Sequence, residues 1–443
     1  MLRVSVALPS GKEVALEVPE SSKVGELKVL AQNSLGSFLR LVTGDGRVLR
    51  DPEDSLEAAG LREGDHLVAI AQQPTLTAGR DAFALWCHGG DRIVTWGNPS
   101  VCGDRFAIKG QLAGVQQVHA KSQAFAAILG DGSVATWGKE DAGGDSSKVR
   151  DRLRGVQQLQ ATFTAFAAIL QDGSVVTWGD PAGGGNSSAV QGQLRNVRQL
   201  QGTNSAFAAV LEDGSVVTWG RTHGGDSSAV QAQLKNVREL RSTGFAFAAV
   251  LADGSVVTWG EAGDGGDSSS VPGLRNVRQV RATNHAFAAI LEDRSVVVWG
   301  GRDYGGSFGD ISVQDRLRSV QEIQGTVGAF AAILEDKSVV TWGNPNLGGD
   351  SSTVQDQLQN VRQIRGTASA FAALLENGSV VTWGNPVDGG DSSSVRDRLR
   401  NVQKIEATSA AFAAILEDGS LVTWGKPRMG GDSSGVQEHL HFL

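Results

Sequence analysis

The chain has 443 residues, is 40% hydrophobic and 20% charged, and carries a formal net charge of −8. It is too long for one ordinary core and has room for two or three domains, with the composition of a soluble globular protein. A mildly acidic chain has no general attraction for phosphate backbones, which argues against broad nucleic-acid binding, although 40 Lys and Arg leave room for a local basic face.

Glycine is abundant (58) while tyrosine (1) and methionine (2) are scarce, and the glycines are regularly spaced, so the bias points to repetition rather than disorder. Cys87 and Cys102 do not make a disulfide framework. The opening MLRVSVALPSGKEV has no apolar core of signal-peptide length, and no apolar run is long enough to cross a membrane. The expectation is an intracellular protein, cytoplasmic or nuclear, monomeric and without a membrane partner.

Residues 1–73 read as one small α+β domain. Leu2, Val4, Val6 and Leu8 alternate, Pro9-Ser10-Gly11 turns the chain, and Val14, Leu16 and Val18 alternate again, which is a β-hairpin pattern. Ser21 or Ser22 is placed to cap a helix whose apolar face is Val24, Leu27, Leu30 and Ala31. Short strands are expected at Leu39–Thr43 and Arg47–Leu49, a helical turn at Asp54–Ala59, and a last strand at His66–Ala71. This order, with Leu8-Pro-Ser-Gly-Lys12, Leu41-Val42, Asp54-Ser55-Leu56 and His66-Leu67-Val68, resembles the ubiquitin-like grasp fold over the whole segment. The resemblance implies a protein-docking patch at Leu8, Val42, His66 and Val68. The family's conjugation tail ends in Gly-Gly, whereas Ala71-Gln72-Gln73-Pro74 runs straight on here, so the resemblance implies an in-line docking module.

From residue 74 to 443 a block close to A-F-A-A-I-L-E-D-G-S-V-V-T-W-G recurs. Its tryptophans are Trp96, Trp137, Trp178, Trp219, Trp259, Trp299, Trp342, Trp383 and Trp424, spaced 40–43 residues apart. A period of that length in nine units means a propeller or a solenoid. In the unit from Val197 to Leu234, strands are expected at Val197–Gln201, Ala206–Leu211 and Ser215–Trp219. Asp213-Gly214 reads as a type I′ hairpin turn. Ser228-Ala-Val-Gln231 reads as a capping box opening a short helix. The middle strand is apolar on both faces, as in a strand buried on both sides, and its alanines let neighbouring sheets approach closely. The tryptophan is expected to pack between units. The expected fold is therefore mainly β, a nine-unit propeller of three-stranded blades each with a short helix.

The recurring A-F-A-x-L-x-D-G-S-V-x-x-W-G with its Gly-rich turn resembles the regulator-of-chromosome-condensation repeat. Family units are usually longer and four-stranded, rings usually have seven blades, and a histidine is common where this chain has Phe125 or Phe166. The last unit is regular to its tryptophan and lacks a polar cap, and the first is the most degenerate, so the expectation is a closed ring with its seam at unit 1. The alternative is an open β-solenoid capped by the N-terminal module.

Core positions repeat faithfully, but two sets of positions vary. One follows Trp-Gly and includes Lys139, Asp180, Arg221, Glu261, Asn344, Asn385 and Lys426; the other precedes Ala-Phe and includes Phe245 and His285. Variation on a rigid scaffold is where a partner surface is built, though drift at exposed loops gives the same pattern. Tyr304 lies in the largest insertion.

Catalysis finds little support. The seven histidines occupy unrelated unit positions, neither cysteine has metal-ligand spacing, and no phosphate-loop motif occurs. Gly-Gly-Asp-Ser-Ser supplies one carboxylate per unit, too few for calcium, and is accounted for by helix capping. Asp293-Arg294 and Asp336-Lys337 break the Asp-Gly rule, at about 1–2 kcal/mol each.

The expectation is a non-enzymatic interaction scaffold without cofactor or metal, binding protein partners and linked to the ubiquitin pathway. Some relatives of the repeat catalyse nucleotide exchange on a small GTPase, which implies a second reading. Similar repeats in HECT-type ubiquitin ligases imply a third, a substrate-binding component without the HECT module.

Overall fold

A computed structural model describes the chain except residues 37, 91, 103–111, 113, 122 and 438–443 and the side chains of residues 222 and 223. His439 and His441 therefore lie outside the described residues. The N-terminal unit has strands β1 (Leu2–Ala7), β2 (Glu13–Val18), β3 (Phe38–Val42) and β4 (His66–Gln72) in the order β2-β1-β4-β3, with β1 parallel to β4. Helix α1 (Val24–Leu35) buries Val24, Leu27, Ala31 and Leu35 against the sheet, while Leu30 is 41% exposed rather than part of the buried face. Its N-cap is Lys23, which makes no side-chain cap, so neither Ser21 nor Ser22 serves. Arg47–Leu49 does not form a strand; Val48 makes a single bridge to Val42 because the chain turns away after it. Residues 54–59 make a single helical turn, in which the Ala59 amide donates to the Ser55 carbonyl at 2.9 Å.

Nine separate three-stranded antiparallel sheets follow. Blade 4 shows the plan: an inner strand Val197–Gly202, a middle strand Ala206–Leu211 and an outer strand Val216–Gly220. Every residue from Ala206 to Val210 is buried, which an all-round apolar strand of mostly small residues permits. Phe207 stacks on Trp219 across the middle–outer pair at 5.3 Å, and the Trp219 indole donates to the Gly184 carbonyl in the preceding loop at 2.9 Å. The bond recurs in blades 3–9 and ties each to its predecessor, while the Trp137 indole of blade 2 has no such partner among the described residues.

The same bond closes the ring. Trp96 of blade 1 donates to the Gly430 carbonyl after blade 9 at 3.1 Å, across 334 residues of sequence. Leu76, Phe83 and Leu85 of blade 1 share a core with Ala411, Ala413 and Ile415 of blade 9. Inner strands touch their neighbours all the way round, blade 9 meeting blade 1 included. The protein is a closed nine-bladed β-propeller carrying a small mixed α/β domain, not an open solenoid.

The Asp-Gly hairpin is not type I′. Leu211 pairs with Ser215, leaving a three-residue loop, and within it only Gly214 has positive φ (79°). That is a type I turn with a glycine bulge, and Asp213 holds it by accepting from the Ser215 amide at 2.8 Å. Arg294 (φ 64°) and Lys337 (φ 65°) adopt the same left-handed conformation. The capping box also fails in blade 4's connector. Asp226 accepts from the Ser228 amide, Ser227 donates to Gln231, and Gln231 anchors to the Val216 carbonyl, all at 2.9 Å. This connector forms turns; elsewhere the segment is 3-10 (Ser147–Arg152) or α-helical (Ile311–Arg316).

Candidate functional site

Inner strands run from the hairpin end of the ring to the opposite, loop end. There Thr162 of blade 3 accepts from the Ala165 amide (3.0 Å) and donates to the Gly183 carbonyl (2.8 Å), fixing the turn into the middle strand. Equivalent threonines serve in blades 4–9. The residues after them hydrogen-bond blade to blade, in the order Phe163, Asn204, Gly244, Asn284, Val327, Ala368, Ser409 and Arg80, each amide to the next carbonyl at 2.7–3.1 Å. This belt holds the loop end together.

The two variable sets form one surface at this end. The amide after each Trp-Gly bonds the carbonyl before the Ala-Phe of the same blade, as in Arg221 to Ser205 (3.0 Å) and Glu261 to Phe245 (3.1 Å). Most of the residues singled out are occupied locally or stand apart. Asp180, Asn344 and Asn385 cap the following turns by accepting from Ala182, Asn346 and Val387. Lys139 pairs with Asp141 at 3.2 Å. Arg221, Glu261 and Lys426 are exposed on separate blades.

Phe245, His285 and Tyr304 are brought together. Phe245 stacks on His285 at 5.6 Å, and His285 meets Tyr304 at 4.4 Å between centroids, tilted by 45°. Asp264 Oδ1 fixes the imidazole from its other side, 2.8 Å from Nδ1. The Tyr304 ring lies over Gly301 and Gly328, where an added Cβ would come within 3.1 and 2.8 Å of it, and it remains 36% exposed. An aromatic row thus joins blades 5 and 6 and the loop that leads from blade 6 to blade 7. Asp264 was missed because it sits in the variable turn of the preceding unit. Also missed was Arg80, whose guanidinium lies 5.1 Å from the Phe163 ring at the belt.

In the small domain, Val42 and Val68 are directly paired across β3 and β4, and Val68 is also in register with Ala7, the residue before Leu8. His66 shares that outward face, in register with Ser5. Val68 and Ile70 are each 43% exposed, so Ile70 extends the patch. Further along the same face of β3 the ring takes over: Phe38 packs against the blade 9 hairpin at Gly419, and Arg40 donates to the Gly89 carbonyl at 2.6 Å.

Several titratable groups are altered by burial. His119 on the blade 2 inner strand is pushed down to about 4 by desolvation, and its Nε2 has no hydrogen-bond partner among the described residues. Lys121 stands where seven blades have threonine and is pushed down to about 8 by desolvation; its ammonium reaches past blade 3 to the Gly202 (2.6 Å) and Thr203 (3.1 Å) carbonyls. Burial lifts the Cys87 thiol to about 11, and neither cysteine is in a disulfide. Among the described residues there is no cluster able to hold a metal ion and no helix long and apolar enough to cross a membrane.

No family model matches the chain, and no curated protein matches it by sequence. Among solved structures it is similar to Prp20p of Saccharomyces cerevisiae, described with its binding to Gsp1p and histones (14% identity, 76% of this chain and 91% of that one, TM-score 0.41). It is also similar to the CRINKLY WD40 ectodomain of the Arabidopsis thaliana receptor kinase ACR4 (15% identity, 59% and 93%, TM-score 0.35). The N-terminal segment is similar to Caldiarchaeum subterraneum ubiquitin (23% identity, 16% and 94%, TM-score 0.15). The propeller assignment rests on the strand pairing and the closed seam.

Proposed function

We propose that the chain is a non-catalytic scaffold that holds two proteins at once, one on the aromatic row of the loop end and one on the Val42–Val68 patch of its ubiquitin-like domain. The observation that carries the reading is the contact of Phe245, His285 and Tyr304: three departures from a faithful repeat, on blades 5 and 6 and the loop after blade 6, packed into one surface. Aromatic rings on a rigid frame supply contact area at low entropic cost, as interface anchors do.

Simultaneous occupancy is supported by the chain path. Strand β4 ends at Gln72 and the blade 1 inner strand begins at Pro74, so a single residue joins the two units. Pro74 lies at the hairpin end, opposite the aromatic row. The small domain is further held by Arg40 and Phe38, so its patch is presented in a fixed direction. A ubiquitin-pathway factor is the partner class that the patch suggests.

The test is quantitative capture with the full chain and two double variants, Phe245→Ala/Tyr304→Ala and Val42→Asp/Val68→Asp. The expected result is two non-overlapping sets of lost partners, with ubiquitin receptors in the second. If both variants capture what the wild type captures, the reading fails. Accelerated release of labelled nucleotide from a small GTPase would replace it with the exchange reading.

A further inference from the structure

The inner strands of the ring carry eight cationic side chains against three carboxylates, in a protein whose net charge is −8. All eight cations lie on blades 4–9, and the inner strands of blades 1–3 carry no Lys, Arg, Asp or Glu. Glutamine and arginine share these positions around the ring. Gln157, Gln321 and Gln403 stand where Arg198, Arg238, Arg278 and Arg362 occur, and Gln160, Gln201 and Gln324 where Arg241, Arg281 and Arg365 occur.

Removing cations from water is costly unless each is matched, and these are not. Glu239 takes Arg241 at 2.9 Å, and Glu406 is shared by Arg365 and Lys404, both at 3.3 Å. Glu322 is engaged by Gln324 at 2.6 Å. Arg281 has no ion pair among the described residues; the Gln279 amide oxygen faces it, and burial and neighbouring Arg241 pull its guanidinium below the ordinary range. Arg362 reaches only the Gln403 carbonyl, at 2.5 Å.

Three of these side chains have a place to act, Arg362 without a carboxylate partner among the described residues and Arg365 and Lys404 sharing one. A cavity of about 690 Å³ opens at the hairpin end between blades 7–9 and the small domain. Arg362, Arg365 and Lys404 line it, Phe38 and Gln72 wall it on the domain side, and Glu322 and Glu417 add two acceptors. That volume suits a small molecule rather than a folded partner. Guanidinium groups recognise phosphate by paired, charge-assisted hydrogen bonds. We infer that the mouth of the propeller channel is a binding site for a small multivalent phosphate compound, held by Arg362, Arg365 and Lys404 beneath the small domain. Glu322 and Glu417 favour a ligand that also carries hydroxyl or amine donors.

The experiment is calorimetric titration of the full chain with inorganic tripolyphosphate at low and raised salt. The comparison is the triple variant Arg362→Gln/Arg365→Gln/Lys404→Gln, which places at each site a residue that other blades carry there. Saturable binding that weakens with salt, and that the triple variant reduces by roughly tenfold or more, is expected. Arg362→Gln alone, at an exposed position, is expected to weaken it by about threefold and covers the case of a misfolded triple variant. Arg221→Gln/Arg302→Gln at the loop end should leave affinity unchanged. Absence of saturable binding at millimolar tripolyphosphate overturns the inference, as does equal affinity in the wild type and the correctly folded triple variant.

Discussion

Gly430→Ala decides whether the ring closes, because its cost depends on what lies across the seam. Gly430 has φ 100°, and an added Cβ would stand 2.5 Å from Cδ2 of Phe83 in blade 1. Gly184, between blades 3 and 4, is its equivalent, with φ 98° and a Cβ 2.7 Å from Cδ2 of Phe207. Left-handed backbone costs a side chain about 1–2 kcal/mol. Overlap with a ring that is fully buried and stacked on its tryptophan adds about 1–3 kcal/mol. The loss of unfolded-state freedom returns about 0.4–1 kcal/mol. Each variant should therefore lose about 2–4 kcal/mol, while Gly192→Ala, with open space around it and no positive φ, should change stability by less than about 0.5 kcal/mol. Urea unfolding followed by tryptophan fluorescence, with calorimetry to check cooperativity, measures all three. In an open array Gly430 would face solvent and lose only the backbone part, near 1 kcal/mol. A Gly430→Ala variant clearly milder than Gly184→Ala would refute the closed seam.

Lys121→Thr should raise the melting temperature at pH 7, since it removes a desolvated ammonium and restores the threonine turn of the other blades. A depressed lysine means that the unfolded chain binds more protons between pH 8 and 10.5, so wild-type stability gains with pH in that window and the variant should lose the gain. His119→Gln should matter on the acid side. With the folded imidazole at about 4 and the free one at 6.5, the wild type loses stability as pH falls through that interval, and a melting series from pH 7 to 4 should be flatter for the variant. Lys337→Gly relieves a left-handed lysine at about 1–2 kcal/mol but gives back about 0.5–1 kcal/mol of glycine entropy, so chemical denaturation should show a net gain of no more than about 1.5 kcal/mol.

The ring was legible in the sequence because its determinants are local and repeated. The phenylalanine–tryptophan stack and the alanine strand recur in register, so their period marks the blades. The degenerate first unit pointed to the seam that Trp96 and Gly430 form. The local errors share a cause. Asp213-Gly214 suggests a two-residue turn only if Glu212 is counted in the strand, and pairing of Leu211 with Ser215 puts it in the loop. Ser228 looks like a cap until Asp226, two residues earlier, takes the amide.

The functional surfaces were legible only in part, because position along a repeat does not give distance between repeats. Phe245 and His285 are 40 residues apart in equivalent positions, and only the packing of blade on blade makes them a stacked pair. Tyr304 joins them from a different position because Gly301 and Gly328 leave room for its ring. The channel was harder still. Arg241, Arg281 and Arg365 read along the chain as the polar half of an alternating strand. Ring closure turns nine such strands toward one axis and converts isolated substitutions into a charged half-channel facing a neutral one. Blades 1–3 keep Thr77, His119 and Gln160 in that layer, so the ring closes without these arginines. Ring closure therefore does not require them; Glu239 and Glu406 pair Arg241 and Arg365, and of the three it is Arg365 that reaches the cavity at the channel mouth, where the proposed anion would use it.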